Sequence, residues 1–334
     1  MKRFFALLLS VLMLLGMFSG CQKAPEATAE PTEAPGPTQS PEEQEVLRIF
    51  VIGNSHTNDA TNLLYEVFHA ESPDQKVMVG NMYYSGCPIV KHVTFAKGNS
   101  PEYRYMKNDN GIWNNTEDFT LSAALKEQAW DVVVLHEMNT RATQDSNWNN
   151  TNLQELIDYV KENTYYNTDF IWHLPWANPV DPVFFELTYD PQPPGTWVEQ
   201  YQNNSDMNYD KMLTQLVDMS QKYVMTNENV TAAIPAGPAI HYANNKLDQT
   251  DPDLYRDYTH LSDFGMLLCA YTWYASIMGL EEITEVNINV IPATLRHRRA
   301  RVLGDLEITE DMKKVIIESV NWALKNPWTV PTAE

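Results

Sequence analysis

Two short segments hold residue types that together could carry out acyl transfer. Gly53-Asn54-Ser55-His56-Thr57 follows the β-branched run Arg48–Ile52 and precedes a helical pattern. A serine at such a turn presents its hydroxyl at a sheet edge, where the backbone N–H groups and positive end of the next helix can hold a developing oxyanion. Alone, a Gly-Asn-Ser turn is equally an ordinary helix cap. Its answer lies 202 residues beyond Ser55, in Asp257-Tyr258-Thr259-His260. A carboxylate three residues before a histidine can hold one ring nitrogen while the other faces a serine. Ser55 is therefore the candidate nucleophile, His260 the candidate base and Asp257 its orienting carboxylate.

These residues need a scaffold that brings distant turns to one edge. Short β-branched runs at Leu47–Ile52, Lys76–Met82, Asp131–His136, Asp169–Leu174 and Val230–Ile234 read as strands. Between them, Asn58–Ala70 and Asp206–Val224 carry apolar residues at helical spacing, and a last helix begins behind Thr309 as N-cap. Alternating strands and helices predict an α/β fold, a three-layer αβα sandwich around a mainly parallel, roughly five-stranded sheet, in one domain over residues 46–330. In such folds the chemistry sits at the carboxyl ends of the strands.

The two motifs together resemble the SGNH/GDSL hydrolase superfamily, and the resemblance runs from Val46 to about Leu280. Ile52-Gly53-Asn54-Ser55, Ser85-Gly86-Cys87 after the second strand, Trp130–Leu135 and Ala233-Ile234-Pro235-Ala236-Gly237 are similar to a poorly characterised bacterial branch of it. The resemblance implies a flavodoxin-like sheet, a Ser-His-Asp mechanism, and an oxyanion hole using the N–H groups of Ser55 and Gly86. One block departs from the pattern: after the third strand the superfamily has Gly-x-Asn-Asp, whose Asn completes the oxyanion hole, whereas this chain reads Leu135-His136-Glu137-Met138-Asn139-Thr140. Either His136 or Asn139 could supply the third donor, or His136 could merely pack. His136 is preferred, because it ends the Val132–Leu135 run and a neutral imidazole can donate one N–H.

The chain has 334 residues, 44 Asp+Glu against 23 Lys+Arg and a net charge of −21. That acidity disfavours nucleic acid, whose binding rests on Lys and Arg neutralising phosphates, and disfavours anionic lipid surfaces. At 43% hydrophobic and 11% aromatic, most of the chain must fold. Residues 1–20 form the exception: Lys2 and Arg3 precede an apolar run too short to span a bilayer, and Phe18-Ser19-Gly20-Cys21 resembles a lipobox. Cys21 is then lipidated, residues 21–45 are a Pro/Thr/Glu-rich tether, and the domain lies outside the cytoplasm, touching membrane through its anchor only. Cys87 and Cys269 remain, and separately buried thiols are favoured over a disulfide.

The eight histidines show no metal-ligand spacing, so neither metal nor other cofactor is expected. Arg296–Arg301 reads as a cationic patch paired with surface carboxylates. The Pro- and aromatic-rich stretch Asn178–Asn204 could wall a site, and Trp113, Trp148 and Trp197 could stack on sugars, although packing is the default for each. Together these features predict a lipid-anchored serine esterase that removes acyl groups, most plausibly O-acetyl groups, from carbohydrate. The rivals are a lipase or thioesterase with the same triad, and a non-catalytic glycan- or solute-binding lipoprotein. Fluorophosphonate labelling of Ser55 separates the enzymes from the last.

Overall fold

A computed structural model describes residues 46–164, 167–179, 188–191, 197–200, 208–247, 254–295 and 304–332. The leader and tether expected over residues 1–45, Cys21 among them, and the Arg296–Arg301 patch lie outside the described residues. In chain order the strands are β1 (Val46–Gly53), β2 (Lys76–Tyr83), β3 (Tyr103–Asn108), β4 (Asn114–Phe119), β5 (Val132–Leu135), β6 (Asp169–His173), β7 (Thr188–Pro191), β8 (Trp197–Gln200), β9 (Val230–Ile234), β10 (Val290–Ile291) and β11 (Leu306–Glu307). The helices are α1 (Ser55–Thr61), α2 (Leu64–Glu71), α3 (Ile89–Gly98), α4 (Leu121–Glu127), α5 (Asn139–Ala142), α6 (Asn152–Asn163), α7 (Tyr209–Met219), α8 (Ala236–Lys246), α9 (Asp263–Met278) and α10 (Glu310–Lys325).

The central sheet runs β4-β3-β2-β1-β5-β6-β9. Its five strands from β2 to β9 pair in parallel, each within two residues of the boundaries read from the sequence. Taken in their own chain order they stand 2-1-3-4-5, the flavodoxin-like arrangement. The sheet has seven strands rather than five because β3 and β4 add an antiparallel hairpin to one edge. β4 is almost wholly exposed and reads Asn-Asn-Thr-Glu-Asp-Phe, so it carries no apolar alternation to announce it. Between Asn178 and Asn204, β7 and β8 pair as a small antiparallel hairpin.

Alternation along single strands builds the three layers. Ile49 and Val51 of β1 join Val132 and Val134 of β5 in a core under α1, α2, α8, α9 and α10. Phe50 and Ile52 join Val133, Leu135, Phe170 and Trp172 in a second core under α3, α4, α6 and α7. Because both faces are covered, the strands read as continuous apolar runs. α9 is buried along nearly its whole length, packed against α1, α2, α8 and α10. Cys87 and Cys269 are free, separate and buried.

The single helix expected over Asn58–Ala70 is two helices, starting earlier and broken at Asn62-Leu63. There the Asn62 carbonyl accepts the Trp113 indole N–H at 3.1 Å instead of an N–H of the next turn. Thr309 caps α10 as expected, its hydroxyl accepting the Met312 N–H at 3.2 Å.

In the first turn of α2, Glu66 is enclosed, and neither carboxylate oxygen has a hydrogen-bond partner among the described residues. Burial pushes its pKa up to about 7. A carboxyl raised on folding contributes stability that is fully present below its ordinary value, about 4.5, and is lost as pH rises through about 7. The urea midpoint should therefore fall between pH 5 and pH 8, and Glu66→Gln should remove up to ~3 kcal/mol of that slope. Equal slopes in both proteins would show that Glu66 ionises without cost.

Candidate active site

The carboxyl ends of β1, β2, β5 and β6 meet at one edge, where Gly53 lies opposite Tyr83 and Leu135 lies opposite Trp172. The turn after β1 closes tightly: a Cβ on Gly53 would fall 2.4 Å from Thr57 Oγ1, so any other residue would have to displace Thr57. Asn54, in extended backbone, caps α1 by accepting the His56 N–H at 3.0 Å. That leaves the Ser55 N–H outside the cap, and it makes no hydrogen bond among the described residues. The other end of the Asn54 amide donates to the Cys87 carbonyl at 3.1 Å, and the Tyr84 N–H donates to the Gly53 carbonyl at 3.3 Å. The Ser55 turn and the Gly86 loop are thereby knitted together. Gly86 has φ +57°, a left-handed conformation that favours glycine.

The loop bearing the second motif is a compact hairpin. Tyr255 bridges Leu261, the Arg256 N–H donates to the His260 carbonyl at 3.0 Å, and the Ser262 N–H donates to the Leu254 carbonyl at 2.9 Å. Inside it, Asp257 Oδ1 accepts the N–H groups of Thr259 and His260 at 3.0 and 2.8 Å, and both carboxylate oxygens lie 3.0 Å from His260 Nδ1. Asp257 thus folds the loop and orients the ring. Burial alone would push its carboxyl up, but the two backbone N–H groups and the imidazole hold it below its ordinary value. With Nδ1 engaged, Nε2 is the nitrogen left for chemistry.

The ring of His56, the residue after Ser55, is 6.3 Å from that of His260, and His56 Nε2 lies 3.0 Å from Thr259 Oγ1. The chain therefore brings the two motifs together across their sequence separation. Among the described residues Ser55 Oγ makes no hydrogen bond.

The two candidates for a third donor fare differently. Both N–H groups of the Asn139 side chain are committed, to the Trp176 carbonyl at 3.2 Å and Asn178 Oδ1 at 2.8 Å, and its oxygen accepts the Thr140 N–H at 2.8 Å. His136 is buried directly after β5 with its ring 5.7 Å from His56, and neither ring nitrogen has a hydrogen-bond partner among the described residues. Burial lowers its pKa to about 3, against a smaller upward pull from the His173 backbone, so the imidazole is neutral at ordinary pH.

Trp148 is buried against Tyr223 and Trp172, with its N–H donated to the Ala142 carbonyl. Of its two readings, packing holds for Trp148 and sugar stacking does not. Trp113 is half-buried and tied to Asn62, and the side chain of Trp197 lies outside the described residues. The exposed aromatic at this edge is Tyr258, 63% exposed between Asp257 and Thr259. Sequence reasoning missed it, as it missed His56, Asp59, Trp176 and Arg256. Only Asp59 carried a signal, a charge on a helix otherwise turned toward apolar residues.

A family model described as "Domain of unknown function (DUF4886)" matches residues 48–306. The crystal structure of a DUF4886 family protein from Bacteroides uniformis is 24% identical with a TM-score of 0.66, covering 86% of this chain and 97% of that one. The two share a fold. A candidate SGNH hydrolase from Slackia heliotrinireducens is 16% identical with a TM-score of 0.44, covering 70% and 99% of the two chains. An acetyl xylan esterase is 14% identical with a TM-score of 0.40, covering 69% and 100%. The sequence matches no curated protein.

Proposed function

The chain belongs to the DUF4886 family, and we propose that it is a serine esterase that removes acyl groups, chiefly O-acetyl groups, from carbohydrate. One observation carries the reaction class: the Asp257–His260 pair, with Nδ1 held and Nε2 left over, on a loop that contacts the residue following Ser55. His260 Nε2 takes the proton of Ser55 as Oγ attacks the ester carbonyl carbon, and the charge forming on the carbonyl oxygen meets the N–H groups of Ser55 and Gly86. The tetrahedral adduct collapses with cleavage of the bond to the alcohol, which leaves with the proton from His260. Water, deprotonated by the same ring, then cleaves the acyl-serine and releases the acid. No cofactor enters these steps.

The carbohydrate assignment is supported by Tyr258, an aromatic face held in solvent two residues from the base. The resemblance of Phe18–Cys21 to a lipobox supports export and lipid anchoring, with an acylated carbohydrate or another small ester as the partner and no role for nucleic acid.

A fluorophosphonate should label Ser55, and acetyl esters should turn over faster than esters of eight or more carbons. In an open apolar channel each added methylene would instead favour the longer chain by about 0.8 kcal/mol. Tyr258→Ala should raise KM for acetylated oligosaccharides while sparing aryl acetates. An unlabelled Ser55 would leave a non-catalytic binding lipoprotein, and preference for long chains would move the substrate to lipids or thioesters.

A further inference from the structure

Asp59 lies one helical turn beyond Ser55 on α1, with a side chain that is 0% exposed. Its Oδ1 accepts from Arg256 Nη2 at 2.9 Å and its Oδ2 from Arg256 Nη1 at 3.0 Å, a bidentate pair. Oδ2 also accepts the Leu261 N–H at 3.0 Å, and Arg256 Nη1 donates to the Leu261 carbonyl. One carboxylate thus grips both ends of the segment Arg256–Leu261, and Asp257 and His260 lie between them. A second clasp closes beside it. Trp176 stacks on His56 with 4.2 Å between ring centroids, and its indole N–H donates to the Thr259 carbonyl at 2.8 Å, while His56 reaches the Thr259 hydroxyl.

A buried ion pair is a poor way to add stability, because desolvation offsets most of its attraction. Its fork geometry is, by contrast, well suited to fixing one loop position. We infer that Asp59 and Arg256 are positioning residues that set His260 at the correct distance and angle from Ser55, a role that rests on the esterase reading above. Ser55 and Asp59 ride on one rigid helix, so the latch references the base loop to the nucleophile itself. A displacement of about 1 Å at such a pair can cost a hundredfold in rate.

Asp59→Asn, made in the whole chain, preserves shape and removes the charge. Its kcat on an acetyl ester should fall about 10–100-fold with KM little changed, and fluorophosphonate labelling of Ser55 should slow in parallel. Arg256→Lys should keep more activity than Arg256→Gln, and Asp59→Asn/Arg256→Gln should lose little beyond either single change, because the two act as a unit. The nitrogen-15 shifts of the His260 ring should move in Asp59→Asn, a readout that needs no turnover. If Asp59→Asn fails to fold, Arg256→Lys carries the test. Wild-type labelling rates and an unmoved His260 spectrum in a folded variant would overturn the latch. A wild-type Ser55 that never labels would overturn the esterase reading instead, leaving the spectrum to report on the latch.

Discussion

Ser55→Ala and His260→Ala should each lower ester turnover by about 10⁵–10⁶ and leave far-ultraviolet circular dichroism and the melting temperature close to wild type. The magnitude follows from the proposed roles: without Oγ no acyl-enzyme forms, and without Nε2 neither proton transfer has a carrier. Ser55 is half-buried and its hydroxyl makes no hydrogen bond among the described residues, so removing Oγ leaves no buried group unpaired. Asp257→Asn should cost less, about 10⁴, through loss of the tautomer that points Nε2 outward. It should also weaken the loop, since the carboxylate accepts two backbone N–H groups. Single-turnover and steady-state assays on an aryl acetate measure all three. Near-wild-type turnover by a folded Ser55→Ala protein would falsify the mechanism.

His136→Ala should reduce kcat by about 10²–10³ with little change in KM, the usual effect of removing one oxyanion donor. The Asn139 side chain has no N–H left to offer, whereas His136 lies buried beside His56 with its ring nitrogens uncommitted among the described residues. His136→Gln should recover part of the loss by restoring an N–H at similar reach. Because burial holds the imidazole near about 3, it stays neutral above that pH and binds no proton between pH 5 and pH 9. The wild-type and His136→Gln rate profiles should therefore run parallel across that range. A silent His136→Ala beside a crippled Asn139→Ala would transfer the role to Asn139.

How much of this molecule can be read in its sequence varies with the range of the interaction concerned. The five parallel strands are legible because each is a β-branched run buried on both faces, and a run needs only its own residues to be seen. The Asn54 and Thr309 caps are local as well, each set by one side chain and an N–H two or three residues on. Asp257 and His260 are adjacent enough for their spacing to imply contact. The β3–β4 hairpin was invisible because β4 is solvated and polar, held by its ladder rather than by an apolar face.

Nothing in the order of residues says that Asp59 pairs with Arg256, 197 positions away, or that the Trp176 indole closes on Thr259. Nor does it say that the Asn139 amide is spent on Trp176 and Asn178 while the His136 ring is left uncommitted among the described residues. Residue types and local spacing thus named the proposed nucleophile, the proposed base and the sheet that would carry them. Which polar groups are consumed by the scaffold, and which stay available for chemistry, was decided by packing, because a hydrogen bond spends a donor only on a partner that folding has brought within about 3 Å.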